Sequence, residues 1–144
     1  VGALIDVVEA AVKVAWVDAY SDYRRSLPQQ VAGAEELLRT RGAMRRRSDP
    51  GMAIEIKPGD GEGWHLLRTY GAWSIHMELE LNGPGRPTAT CHDCGLSITA
   101  DLTEAEAACL AAKLPAGATL HRLAAPPPHR QGGHWLGRVS GGED

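Results

Sequence analysis

Apolar residues at Leu4, Ile5, Val8, Val12, Ala15, Trp16, Ala19, Tyr20 and Tyr23 recur with the spacing of a helix that buries one face. That spacing predicts a helix over 4–23, with Asp6, Glu9 and Lys13 as its polar stripe and Pro28 beyond its end. A second helix is predicted from Gln29 to Arg46, carrying Val31, Ala34, Leu37, Leu38 and Met44. Ser48-Asp49-Pro50-Gly51 then breaks the chain.

The period changes after that break. Met52 to Lys57 alternates, the glycine-rich stretch 58–63 reads as a hairpin turn, and Trp64–Tyr70 is the expected return strand. Apolar and polar residues alternate without exception from Trp73 to Leu81. A strand of that kind lays one face on a core and leaves the other in water, as antiparallel sheets do. Asn82-Gly83-Pro84-Gly85 turns the chain, Arg86–Cys91 is expected to run back, and Leu96–Leu102 alternates again. Thr103-Glu104-Ala105-Glu106 has the spacing of a capping box opening a short helix. Ala105, Ala108, Cys109 and Ala112 are expected to form that helix's buried face, and a last strand is expected at Thr119–Leu123.

The expected fold is α+β: an N-terminal helix pair, a mostly antiparallel sheet of five or six strands, and one further helix near the C-terminus. One domain is expected over 1–124, helical over 1–48 and sheet-rich over 51–124. The Pro- and Gly-rich tail 125–144 is expected to be disordered.

Composition changes this picture little. The 144 residues hold no Phe, and 12 of the 15 basic residues are Arg, so the core must lean on Leu, Ile, Val and four Trp. A net charge of −3 makes no general case for nucleic acid or an anionic membrane. Acidic residues interrupt the Ala- and Val-rich stretch near the start, which excludes it as a membrane span. With three Cys and no export pattern, the expected location is the cytoplasm, with reduced thiols.

Candidate chemistry centres on Cys91-His92-Asp93-Cys94-Gly95. Two thiols at this spacing form half of a tetrahedral Zn²⁺ site. The missing ligands would have to come from His76, His121 or His65, or from a second chain's Cys pair. Cys109 reads as core. His129 and His134 have zinc-finger spacing, but 34 residues separate them from Cys94, against roughly 12–15 in the usual pattern. A redox role is the competing reading, but Gly95 leads into a strand and not into the helix N-terminus that would activate a thiol. His76, Glu78 and Glu80 share one strand face and read as its solvated side. The second candidate is the cluster Arg39, Arg41, Arg45, Arg46 and Arg47, with Arg24 and Arg25 before it. Arg forks suit phosphate, yet Arg at a helix C-terminus also suits the macrodipole.

The expectation drawn from these residues is a non-enzymatic binding or regulatory module whose partner is another protein or a second copy of itself. The alternatives are a zinc-stabilised nucleic-acid-binding accessory protein, using Arg41, Arg45, Arg46 and Arg47, and a thiol-dependent redox protein.

Overall fold

The computed structural model describes residues 1–45, 49–81 and 89–123. The chain forms α1 (Gly2–Val8), β1 (Val12–Val17), α2 (Gln29–Arg45), β2 (Ile54–Ile56), α3 (Gly61–Tyr70), β3 (His76–Leu81), β4 (Ala89–His92), β5 (Ser97–Thr99) and α4 (Glu104–Lys113). The five strands make one antiparallel sheet in the order β2-β1-β3-β4-β5. The α+β class holds, with a helix pair near the N-terminus and a helix near the C-terminus.

The first helix is much shorter than its spacing predicts. It stops at Val8, a 3-10 turn follows over Glu9–Ala11, and the chain enters β1. Val12, Val14 and Val17 are β-branched and fit a pleated strand better than a helix. β1 is paired on both edges, by β2 and β3, and a break in its alternation puts apolar residues at both even and odd positions, which imitates the apolar frequency of a helix. A register shift lies between Val12 and Val14. That bulge lets Val12 and Ala15, an odd number of residues apart, both join the core, and it leaves Lys13 outside on Glu80 at 2.7 Å.

The second correction is α3, expected as a strand. Asp60 caps it, accepting from the Gly63 amide at 2.9 Å, and Glu62 favours the first turn. Trp64, Leu67 and Tyr70 then fall one turn apart and are buried. Asp60 also receives both prongs of Arg41, at 2.6 and 3.2 Å, and Arg41 reaches Glu62 at 2.8 Å. The Arg41 hydrogen bonds, then the Gly63 amide, hold the Asp60 carboxyl below its ordinary 3.8. A depressed folded pKa means the stabilisation is complete above the unfolded value and is lost as pH falls through the folded one. Asp60→Asn should therefore cost about 1–3 kcal/mol at neutral pH. Its deficit against wild type should shrink in urea melts taken below pH 3.8.

Two smaller expectations also fail. Thr119–Leu123 forms no strand. In α4 the capping box at Thr103 and Glu106 is present, but Leu110 is the buried residue, while Cys109 and its Ala neighbours lie outward. One Leu buries more apolar area than several Ala, so it sets which face turns inward. In α2, Val31, Ala34 and Leu38 face the core, and Leu37 and Met44 are exposed. The tail 125–144, the turn at 82–85 and the residues Arg46, Arg47, His129 and His134 lie outside the described residues.

The helices cover one face of the sheet. Ile54, Ile56, Ala15, Val17, Met77, Leu79, Leu81, Ala89 and Cys91 join the buried residues of all four helices in one cluster. The alternate positions, Glu55, Val14, Trp16, His76, Glu78, Glu80, Thr90, His92 and Thr99, lie on the other, open face.

Candidate functional site

The Cys-x-x-Cys turn closes the end of β4 against the neighbouring strands. The Asp93 amide donates to the Ile75 carbonyl and the Cys94 amide to the Ser74 carbonyl, each at 3.0 Å. Asp93, Cys94 and Gly95 are all left-handed, with φ of 52°, 56° and 76°. Gly95 is needed there: a Cβ would sit 3.1 Å from the Ala72 carbonyl oxygen. The buried Ser74 donates its hydroxyl to the Asp18 carbonyl at 2.7 Å and accepts from the His76 amide at 3.1 Å. These bonds tie the turn to the end of β1.

The two thiols occupy different environments. Cys91 faces the helix-covered side, fully buried between Met77 and Ile98 in the sheet register. Burial pushes its thiol up to about 11, so it is protonated at neutral pH. Cys94 is half-buried, with its Sγ 3.8 Å from the Ser21 Oγ. Of the proposed further ligands, His121 is exposed and contacts Thr119 at 3.0 Å, and His65 is exposed on α3. Among the described residues, no group of three or more His, Cys, Asp or Glu side chains is placed to hold a metal ion.

His76 has a different neighbour. It lies directly opposite His92 in the β3–β4 register, and the two Nδ1 atoms are 3.1 Å apart, with ring centroids at 4.7 Å. The Glu78 carboxylate lies 3.9 Å from the other His76 nitrogen, Nε2. His92 was legible in the sequence only as a residue between two cysteines. Its pairing with His76 depends on strand register, which turn length and side-chain burial set together.

Arg39, Arg41 and Arg45 are engaged with the protein itself. Arg41 holds Asp60 and Glu62, and Arg45 bonds both the side chain and the carbonyl of Glu55, at 3.0 and 3.3 Å. Arg39 donates to the Ala19 carbonyl at 3.2 Å and stacks over Tyr20, with its guanidinium 4.8 Å from the ring centre.

Beside them lies a cleft of about 460 Å³, lined by Arg24, Glu35, Arg39, Thr40 and Pro50. The Glu35 side chain is buried, 3.4 Å from the Arg24 Nε, and its Oε1 makes no hydrogen bond among the described residues. The Tyr70 hydroxyl is likewise buried without a hydrogen-bond partner among them, and burial, then the charges of Glu35 and Cys94, raise its pKa. Helical spacing places Glu35 on the face that α2 buries, one turn from Val31 and from Leu38, while Glu36 beside it is exposed; its charge is what disguised the position in the sequence.

No protein family matches this sequence, and comparison with curated proteins and with solved structures gives no match. No helix among the described residues is long and apolar enough to cross a membrane.

Proposed function

We propose that the protein is a non-enzymatic binding module that associates with a second copy of itself by pairing β5 edge to edge. The observation that carries this reading is the state of that edge. β5 is the last strand of the sheet, all three of its residues are exposed, and none is charged or proline. Leu96 beside it is 81% exposed and Ile98 within it 44%. Natural sheets protect such edges with charge, bulges or covering segments.

The opposite edge has that protection. In β2, the Glu55 carbonyl accepts from Arg45, and Glu55 and the Lys57 that follows the strand carry charge. β5 has no charge to match a charged partner strand, but it complements itself. Antiparallel pairing about Ile98 would set the two Ile98 side chains together on one face and Ser97 against Thr99 on the other. The nucleic-acid reading is less well supported, since Arg41 and Arg45 already bond carboxylates and Arg46 and Arg47 lie outside the described residues.

Size-exclusion chromatography with light scattering tests the proposal. A dimer is expected at tens of micromolar, and Ile98→Lys should return the protein to a monomer without altering its circular dichroism. A wild-type chain that stays monomeric at that concentration, or an Ile98→Lys variant that remains dimeric, removes the reading.

A further inference from the structure

We propose that His76 and His92 form a two-imidazole chelate for a divalent transition-metal ion on the open face of the sheet. The inference does not depend on how the chain associates, because these histidines project from β3 and β4 and β5 supplies no ligand.

Geometry carries the argument. Two nitrogens bound to one metal at about 2.05 Å stand roughly 3.4 Å apart at a tetrahedral angle and about 2.9 Å apart at a right angle. The His76 and His92 Nδ1 atoms, at 3.1 Å, lie between these limits. The backbone sets this spacing: directly opposed residues on an antiparallel pair bring their Cβ atoms close on the same face. The β3–β4 register runs unbroken from Leu79 and Ala89 to this pair, the Asp18 amide donates to the His76 carbonyl at 3.0 Å, and Ser74 fixes the start of β3 through the His76 amide.

The protonation states also fit. Two imidazole nitrogens at this distance cannot both carry a proton, so without metal one Nδ1–H donates to the other. The Glu78 carboxylate near the His76 Nε2 favours a proton on that nitrogen, which leaves the His76 Nδ1 with its lone pair toward His92. His92 is exposed, so its proton can shift to Nε2 and be solvated as the metal enters. Each imidazole then ligates as the neutral species, and one proton position moves on His92 without any net redox change. No third side chain completes the site among the described residues, so water takes the remaining positions and the ion exchanges readily. Imidazole ligands favour Cu²⁺, Ni²⁺ and Zn²⁺ over Mg²⁺ and Ca²⁺.

This site differs from one built on the cysteine pair. The Cys91 thiol is buried on the opposite face of β4 from His92, as alternate residues of a strand must be.

The test is titration of Ni²⁺ into the full chain by calorimetry, with Zn²⁺ titrated in parallel while imidazole ¹⁵N shifts are followed. One Ni²⁺ per chain is expected, and Zn²⁺ should move the Nδ1 resonances of His76 and His92. His92→Ala and His76→Ala should each weaken Ni²⁺ at least tenfold, and the double variant should be little worse than either, because a chelate fails when one arm is lost. Glu78→Gln should weaken binding by less and shift the His76 tautomer signal, a readout that a purely structural role would not move. Cys94→Ser, His129→Ala and His134→Ala should leave affinity unchanged. Unaltered Ni²⁺ affinity in His92→Ala, loss of binding in Cys94→Ser, or no binding by millimolar Ni²⁺ would each overturn the proposal.

Discussion

Leu79→Ala should destabilise the protein by about 4 kcal/mol, toward the upper part of the range for buried Leu truncations. Leu79 is fully buried in β3, the middle strand of the sheet. Its register partners on the core side are Ala15 and Ala89. Neither methyl can reach into the space that Leu79 would vacate, so the cavity stays open and the cost adds to the lost transfer energy. Against a total stability of about 5–15 kcal/mol, this loss would leave the variant close to unfolding. Urea denaturation followed by tryptophan fluorescence measures it. A loss under about 2 kcal/mol would mean that the helices relax onto the sheet and close the gap.

Gly42→Ala should destabilise as well, although helix propensity alone predicts the reverse. Within a helix, Ala is favoured over Gly by about 1 kcal/mol. Gly42 lies in α2 where the return of the chain toward β2 crosses it: a Cβ there would collide with the Pro50 carbonyl oxygen, 2.9 Å from its carbon and 3.1 Å from the Ile54 Cγ1. The obstacle is backbone and cannot rotate away, so overpacking of about 1–3 kcal/mol or more outweighs the propensity gain. Gly33 supplies the control in the same helix. It is exposed, and a methyl added there would have nothing within 4 Å, so Gly33→Ala should stabilise by up to about 1 kcal/mol. Thermal melts of the two variants should shift in opposite directions. Equal shifts would show that Pro50 does not pack against α2.

The strand at 76–81 and the helix at 104–113 were legible because each is marked by local signals that tertiary structure did not oppose. In β3 every second residue is apolar and the sheet has one wet face, so period and burial agree. In α4 the Thr103–Glu106 box is a self-contained arrangement of hydrogen bonds. The two large misreadings arose where a local pattern served two structures equally. Val12–Val17 has apolar residues at helical spacing because the bulge between Val12 and Val14 interrupts its alternation, and only the pairing with β2 and β3 distinguishes these cases. Around 61–70, the glycines that suggest a turn are instead the first turn of α3, held by a cap from Asp60 whose second partner, Arg41, lies on another helix.

The sequence by itself determined the α+β class, the second helix, the long alternating strand, the capping box and the place of a tight turn at 91–95. These rest on residue types and spacings that act within one or two turns of chain. Only the tertiary structure decided what the candidate residues face. It sent Cys91 into the core while leaving Cys94 half-buried, and it paired Arg41 and Arg45 with carboxylates. It also set His76 opposite His92, 16 residues away. Each of these outcomes depends on register and on which face of an element is covered. A one-residue slip of β4 would exchange Cys91 for His92 on the core side, so the chemistry of this region is settled by strand pairing.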